Sequence, residues 1–335
     1  MSAKAQVRCG MRRALMTAVF VLGVGQLMVG QGPLVLVRTI DLPAVEGRID
    51  HMSVDIDQNR LFVAALGNNS VEVVDLRSGA RARSLGGFHE PQGIQVVSEQ
   101  KAIVVANGET GNVQIVDGAS LQQVKAISLS EDADNVRYDP RATRLYVGHG
   151  SGALAVIDAS DWRVLGNIRL SGHPESFQLE STGPRVFVNV PTANHIAVVD
   201  RNAMKVLATW PVIGAQSNFP MALDEANHRL FVGCRQPARV LVYDTATGRQ
   251  IDALEIGGDT DDLFYDAARR RLYVSGGEGF LDVFQQQGDR LTRIAHVPTA
   301  SGARTSLFVP QQNRLYLAVP HRGTQKAEVR VYEAQ

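Results

Sequence analysis

The sequence predicts an all-β fold: a seven-bladed β-propeller with four antiparallel strands per blade and an N-terminal strand that closes the last blade. One strand motif recurs seven times at a nearly constant spacing, and two further strand-like runs follow each copy except the last. The last repeat lacks its final strand, which the N-terminal region supplies. A single blade cannot bury both of its faces, so neighbouring blades have to stack around a common axis.

The most regular landmark is a short apolar strand that begins with arginine and reads Leu-(Phe/Tyr)-Val. Consecutive copies are 41 to 44 residues apart, and the second copy has lost the arginine. The first apolar residues of the copies, used below as anchors, are Leu61, Ile103, Leu145, Val186, Leu230, Leu272 and Leu315. A period of about 42 residues, rich in β-branched and aromatic residues, is typical of a four-stranded blade.

A third run of each repeat closes on aspartate in the first five copies and lacks it in the last two. These runs are Val71–Asp75, Val113–Asp117, Leu154–Asp158, Ile196–Asp200, Val240–Asp244, Leu281–Phe284 and Val329–Tyr332. A fourth run follows at turn distance, as in Val164–Ile168. We interpret the repeated aspartate as a turn former and the repeated arginine as a cover for the blade edge, because a catalytic role would not need so many copies.

The two ends of the domain predict how the ring closes. The seventh repeat stops after its third strand, whereas an unassigned strand pattern, Leu34–Leu42, precedes the first repeat. We expect this segment to complete the seventh blade, which would remove the free sheet edges that promote aggregation.

Residues 1–30 have the layout of a secretory signal peptide. Four basic residues, Lys4, Arg8, Arg12 and Arg13, precede the uncharged apolar run Ala14–Val24. The run is short for a membrane span, and no Ala-x-Ala cleavage site follows, so an uncleaved anchor is the alternative. The domain prediction is therefore a signal peptide over 1–30, a propeller over 34–335, and a periplasmic or extracellular location with no membrane span after cleavage.

Charge and cysteine content exclude some function classes. The formal net charge of the chain is zero, so nothing suggests a nucleic-acid partner. Without residues 1–30 only one cysteine, Cys234, remains, which excludes an intramolecular disulfide and favours a buried thiol. The nucleophile elbow, the zinc-binding His-Glu-x-x-His helix and the phosphate-binding glycine loop are missing as well.

The repeat resembles the YVTN-type β-propeller repeats of bacterial secreted proteins over about residues 34–333. The name-giving tetrad is represented by Leu145-Tyr146-Val147-Gly148, Leu272-Tyr273-Val274-Ser275 and Val104-Val105-Ala106-Asn107. The resemblance implies the propeller fold and is compatible with adhesion or surface-layer proteins, scaffolds and relatives of quinoprotein dehydrogenase subunits. Fold alone does not choose among these functions.

Function in such a fold is expected at one mouth of the central channel, where the chain enters the innermost strand of each blade. Eleven residues before the anchors, four positions are acidic: Asp50, Asp134, Glu175 and Asp261. We predict a ligand-binding mouth formed by Asp50, His51, His89, Asp134, Asn135, His173, Glu175, Asp261, Asp262 and Arg304. Asp and Asn at these places also cap turns, which is the structural alternative.

A divalent metal ion is the cofactor that these side chains would suit, with Asp50, His51, Asp134, Glu175 and Asp261 as ligands. Calcium would use the oxygens and a transition metal the imidazoles, and both stay open. The loops between the second and third strands add Asn68, Asn69, Asn107, His149, Asn189, His195, Arg235, Glu278, His321 and Arg322. Among these, Arg235 and Arg322, with Arg304, are expected to form a positive sector opposite the acidic one.

Two classes of function follow. The first is a non-catalytic scaffold that binds a protein partner or a small ligand at the mouth. The alternative is a metal-dependent, lactonase-like hydrolase with His51 or His173 as base, or a quinoprotein-related oxidoreductase component.

Overall fold

Seven four-stranded antiparallel sheets make up residues 32–335 in the computed structural model, which describes residues 1–3, 6 and 32–335. The predicted seven-bladed propeller is therefore confirmed. The predicted signal peptide over 1–30 lies almost wholly outside the described residues and stays a prediction. Among the described residues, no helix is both long enough and apolar enough to cross a membrane.

The strands follow the repeat in chain order, beginning with β1 (Leu34–Asp41). Blade 1 is β2 (Met52–Asp55), β3 (Arg60–Ala65), β4 (Ser70–Asp75) and β5 (Ala80–Leu85); blade 2 is β6 (Pro91–Val97), β7 (Ala102–Asn107), β8 (Asn112–Asp117) and β9 (Gln123–Ser128); blade 3 is β10 (Val136–Asp139), β11 (Arg144–His149), β12 (Ala153–Asp158) and β13 (Arg163–Arg169); blade 4 is β14 (Phe177–Leu179), β15 (Arg185–Val190), β16 (His195–Asp200) and β17 (Lys205–Pro211).

The later blades repeat the pattern. Blade 5 is β18 (Gln216–Asp224), β19 (Arg229–Gln236), β20 (Ala238–Asp244) and β21 (Gln250–Glu255); blade 6 is β22 (Thr260–Asp266), β23 (Arg271–Gly276), β24 (Phe280–Gln287) and β25 (Arg290–Pro298); blade 7 is β26 (Ser306–Val309), β27 (Arg314–Val319) and β28 (Glu328–Ala334), with β1 as its outer strand. Short 3-10 turns occupy Leu66–Asn68, Ser98–Gln100, Pro191–Ala193 and Pro310–Gln312.

The ring closes as the sequence predicts. Strand β1 pairs antiparallel with β28, from Leu34 opposite Ala334 to Asp41 opposite Glu328. Ile40 of β1 is 1% exposed and belongs to the apolar cluster that joins blade 7 to blade 1. The N-terminal strand therefore contributes both backbone hydrogen bonds and buried apolar area to closure.

The core lies between the blades rather than at one centre. In residues 32–335, each pair of neighbouring blades shares one cluster of buried apolar side chains. Between blades 1 and 2, for example, Phe62 packs in the same cluster as Ile103. Every blade is thus covered on both faces by its neighbours, as stacked repeats require.

The repeated aspartates and arginines lie at the end of the ring where the innermost strands exit. Asp244 accepts hydrogen bonds from the backbone N–H groups of Ala246 and Thr247, and the same turn recurs at Asp75, Asp117 and Asp200. Arg60 pairs with Asp55 at 2.7 Å. These residues serve the turns of each blade, so any specific site is more reasonably sought at the opposite end.

Candidate functional site

A central channel runs along the innermost strands and contains a cavity of about 390 Å³. All seven blades line it. Eight residues before each anchor, the side chains form one level of the wall: Ser53, Gln95, Arg137, Gln178, Ala222, Phe264 and Leu307. His51 and Asp262 line its other end, where the chain enters the innermost strands. We call this end the mouth.

Backbone hydrogen bonds fix the segments that carry the acidic residues of the mouth. The N–H groups of Asp50, Asp134 and Glu175 donate to carbonyl oxygens of the second strand of their own blades, over 2.7, 2.9 and 3.0 Å. Each of these bonds extends the pairing between the first and second strands of its blade to residues that precede the first strand. Equivalent residues of separate blades consequently reach the same level, although they are far apart in sequence.

Tight turns lead into these segments. Two positions before the acidic level, the backbone is left-handed in five blades, at Glu90, Asp132, Ser217, Asp259 and Gly302. Aspartate tolerates this conformation better than most residues. Between blades 2 and 3, a Cβ at Gly93 would lie 2.1 Å from the carbonyl oxygen of Asp134, so only glycine allows the Asp134 backbone to approach this closely.

The first group of ionisable side chains at the mouth joins blades 1 and 6. His51 Nδ1 lies 3.4 Å from Asp262 Oδ2, and its Nε2 lies 3.7 Å from Asp50 Oδ1. Burial by itself would lower the pKa of His51, but the charge and hydrogen bond of Asp262, with the charge of Asp50, raise it to about 10. Burial raises the pKa of Asp50 to about 7, against the opposing charges of His51 and Arg48.

The second group joins blades 3 and 4. His173 Nδ1 lies 2.7 Å from the carbonyl oxygen of Gly150 and 3.5 Å from Asp132 Oδ2, and its Nε2 lies 4.0 Å from Asp134 Oδ2. Burial opposes the charge of His173, yet the nearby Asp134 carboxylate and the carbonyl of Gly150 raise its pKa to about 9. Burial, followed by the charge of Asp134, raises the pKa of Glu175 to about 8.

The third group neutralises Asp261. Arg235 Nη2 lies 2.5 Å from Asp261 Oδ1, Arg304 Nε lies 2.9 Å from Asp261 Oδ2, and Arg304 also donates to Asp259. The expected positive sector opposite the acidic one is therefore wrong. The guanidinium groups of Arg235 and Arg304 are bound by the carboxylates of Asp259 and Asp261, so both arginines lie among the acidic residues of the mouth, which we call the acidic cluster. Arg322 instead contacts Ser301.

The structure brings most of the predicted mouth residues together but leaves His89 apart. His89 is 58% exposed on its side chain and faces the equally exposed Glu109 at 3.3 Å. Asn135 is buried beside Asp134, and its Oδ1 has no hydrogen-bond partner among the described residues. Asp132 and Asp259, which flank the predicted positions, join the groups directly.

The loops between second and third strands chiefly connect neighbouring segments. Asn69 Oδ1 accepts from the Glu90 N–H, and Asn107 Oδ1 accepts from the His89 N–H. His149 bridges Ser130 and Asn167. The remaining polar residues of this set also have nearby partners: Asn68 with Glu46, Asn189 with Asn218, His195 with Ser171, Glu278 with Gly258, and His321 with Glu46. Of the set, Arg235 alone enters the acidic cluster.

The predicted metal ligands fall into different groups. Asp134 and Glu175 come together with His173, and one ligand atom from each lies within 4.8 Å of the others. Asp50 and His51 lie with Asp262 instead. Asp261 is neutralised by two arginines, which leaves its charge unavailable to a cation.

Arg137 and Arg48 were missed by the sequence reasoning. Arg137 lines the channel, where its guanidinium lies 5.7 Å from the ring centre of Phe177, and burial lowers its pKa against the charges of Asp262 and Asp134. Counting eight residues back from the anchor Leu145 would have found it. Arg48 Nη2 lies 3.3 Å from Asp50 Oδ2, and no repeat position signals it.

Together, the fold and the mouth define a seven-bladed β-propeller protein with clustered, mainly acidic side chains above its channel. No family model matches the chain. It is similar to the uncharacterized protein YncE of Salmonella typhimurium LT2 and of Salmonella typhi, at 24% identity over 174 residues, which is 50% of this chain and 48% of each relative. The match thus spans about half the length of these curated relatives, and it supports a β-propeller family.

Solved structures show the same fold at low sequence identity. A chain in the crystal structure of the mitotic checkpoint complex matches with a TM-score of 0.77 and 15% identity, covering 98% of both chains. A chain of Kuenenia stuttgartiensis hydrazine synthase matches with a TM-score of 0.71 and 17% identity, covering 82% of this chain and 94% of that one. At such identities the likeness concerns the fold alone.

Proposed function

We propose that this chain is an exported propeller, related to the YVTN-repeat proteins, that serves as a binding scaffold and holds a positively charged group of a protein or small ligand at its mouth. Support comes from the convergence of charges from several blades at one level. Carboxylates outnumber cationic groups there, even with both histidines protonated: Asp50, Asp132, Asp134, Glu175, Asp259, Asp261 and Asp262 against Arg48, Arg235, Arg304, His51 and His173.

The sign of the ligand charge follows from these pairings. Arg235 and Arg304 are already bound to carboxylates, which weakens the case for an anionic ligand. Asp50 instead faces His51 and one arginine, Arg48, and Asp132 faces His173. A ligand ammonium or guanidinium group would relieve the repulsion among these carboxylates.

Calorimetric titration with spermidine and with a lysine-rich peptide tests the proposal and separates a small ligand from a protein segment. The mouth variant Asp50→Asn with Asp132→Asn removes two carboxylates, and asparagine keeps the left-handed backbone of Asp132. The matched control, Asp57→Asn with Glu99→Gln, removes two exposed carboxylates from the opposite end. The titration is run with chelator at pH 8.5, above the pKa of about 7 of Asp50.

We expect the mouth variant to weaken binding at least tenfold and the control to leave it unchanged, since the loss of even one charge-assisted contact costs about 1.5 kcal/mol. Equal weakening by both variants would indicate only the overall charge of the molecule. No binding of either probe would reject the proposal for cationic groups.

The second candidate function is the metal-dependent hydrolase. It is favoured by one observation, the approach of two carboxylates and an imidazole at Asp134, Glu175 and His173. A metal held there would polarise a carbonyl group of a substrate. Hydrolysis of lactone and ester substrates by the metal-loaded chain, lost in Glu175→Gln, is the result that would place this candidate first.

A further inference from the structure

Asp134, His173 and Glu175 form the tightest carboxylate and imidazole cluster at the mouth. One ligand atom from each residue lies within 4.8 Å of the other two. The carboxylate residues are held by backbone hydrogen bonds, Asp134 to Gly148 and Glu175 to Asn189. The cluster therefore sits on two rigid blades, which is the support that a preorganised site requires.

The hydrogen bond of His173 leaves one ring nitrogen facing the cluster. A carbonyl oxygen only accepts, so the 2.7 Å contact with Gly150 assigns a hydrogen to Nδ1. Nε2 then faces Asp134 Oδ2 at 4.0 Å. Histidines that bind metals commonly donate their other N–H to a carbonyl or carboxylate in this way, which fixes the ring and its tautomer.

A buried, unsatisfied oxygen supplies an independent indication of a ligand. Asp134 is 6% exposed, and within the described part of the chain its Oδ1 has no hydrogen-bond partner. Leaving a buried carboxylate oxygen unpaired costs about 1–3 kcal/mol or more. Coordination of the Asp134 carboxylate to a cation would compensate this cost.

The charge around the cluster favours the same ligand. Asp134 and Glu175 bring two carboxylates to the same place, and the imidazole of His173 is the third member of the cluster. Asp132, with its Oδ2 3.5 Å from His173 Nδ1, adds a further negative charge behind the imidazole. The neighbouring Asp261 pairs with two arginines, whereas no arginine of residues 32–335 lies within ion-pair distance of Asp134.

We propose that Asp134, Glu175 and the Nε2 atom of His173 bind one divalent transition-metal ion, of the Co²⁺, Zn²⁺ or Mn²⁺ class. Two carboxylates and one imidazole suit these ions better than calcium, which takes six to eight oxygens. Ligand atoms about 2.1 Å from the metal lie ~3.4 Å apart, so small side-chain rotations would close the cluster around the ion. The inference deepens the proposed function, since it names a ligand class for the same mouth.

Calorimetry and Co²⁺ absorption spectra test the site on the tag-free full chain after treatment with chelator. The probes are Co²⁺, Zn²⁺, Mn²⁺ and Ca²⁺ as simple salts. The variants are Glu175→Gln and His173→Asn, and the control is His89→Asn, which removes an imidazole outside the cluster. Thermal unfolding of each variant without metal shows that the fold is intact.

We expect one Co²⁺ or Zn²⁺ ion per chain, at least a 100-fold loss of affinity in Glu175→Gln and His173→Asn, and no change in His89→Asn. The melting temperature should rise with Co²⁺ for the unmodified chain and not for the two variants. Absence of Co²⁺ and Zn²⁺ binding, equal binding by all variants, or a preference for Ca²⁺ would each overturn the proposal.

The two proposals fail separately. If the spermidine and peptide titrations succeed but Co²⁺ and Zn²⁺ do not bind, the metal site is rejected and the cationic binding surface stands. If the metals bind as expected but the chelator-treated chain binds neither spermidine nor the lysine-rich peptide, the mouth is a metal site and the binding of cationic groups is rejected.

Discussion

Replacing His51 with asparagine is expected to remove a pH-dependent part of the stability of the propeller. His51 lies between Asp50 and Asp262, and its side chain is 14% exposed. These carboxylates, with Asp134, raise its pKa from 6.5 to about 10 although burial opposes the charge. The folded state therefore holds the proton more tightly than the unfolded state, and the protonated imidazole stabilises the fold.

The sign and size of the effect follow from the two pKa values. The stabilisation is fully present below pH 6.5 and is lost as the pH rises through about 10. At about 1.4 kcal/mol for each tenfold change in proton affinity, the difference between 6.5 and about 10 corresponds to about 5 kcal/mol. Water at the mouth screens part of this energy, so we expect the loss between pH 7.5 and 9.5 to be about 2 kcal/mol.

Urea unfolding at several pH values between 7.5 and 9.5, in the presence of chelator, measures the effect. This window lies above the pKa of Asp50, but Glu175 and His173 also titrate within it. The relevant quantity is therefore the difference in unfolding free energy between the unmodified chain and His51→Asn. The exposed His89 supplies the control substitution, His89→Asn.

The difference should shrink as the pH rises, because deprotonation removes the contribution of His51 from the unmodified chain. A difference that stays constant across the window would refute the reasoning. So would an NMR titration in which the His51 ring changes protonation near 6.5, since the two carboxylates would then have no effect on its charge.

Three other substitutions or reactions test the fold. Ile40→Ala in the closing strand β1 should lower the unfolding free energy by about 3 kcal/mol in urea titrations. Leu36→Ala, at a 49% exposed position of the same strand, should change it by less than about 0.5 kcal/mol. Equal effects of the two substitutions would argue against closure by β1. Asp244→Ala should cost about 1 kcal/mol through the lost turn hydrogen bonds, and Asp244→Asn should restore most of it in the same titration. Burial raises the pKa of the Cys234 thiol to about 12, so Ellman's reagent should label Cys234 only with unfolding. Rapid labelling of Cys234, told apart from Cys9 by peptide mapping, would contradict its burial.

The fold could be predicted because the same strand motif recurs in seven copies along the sequence. The anchor motif places the second strand of every blade, and the observed β3, β11 and β15 begin at the predicted arginines Arg60, Arg144 and Arg185. Closure was predictable too, since a missing strand at one end and an unassigned strand at the other leave one simple pairing. Periodicity fixes backbone position, and backbone position is what these predictions required.

The partners of the mouth side chains were not predictable in the same way. Counting from the anchors brings Asp261 and Arg304 to one level, but it does not say which neighbour each side chain meets. That choice depends on rotamers and on competition among charges within a few ångströms. Arg235 and Arg304 were consequently expected to face the acidic sector, whereas they lie within it.

Residues at equivalent positions of the seven blades show which side chains the propeller fold requires and which it does not. The arginine of the second strand and the aspartate of the third recur from blade to blade, as expected for residues that serve every blade. The level of Asp50 instead holds Gln92 in blade 2 and Phe219 in blade 5, so the propeller accepts an uncharged or apolar residue there. Burial nevertheless raises the pKa of Asp50 to about 7, a cost that folding does not require. A carboxylate that is unnecessary and unfavourable for the fold is expected where a ligand compensates for it, so Asp50→Asn, unlike His51→Asn, should weaken binding without lowering stability.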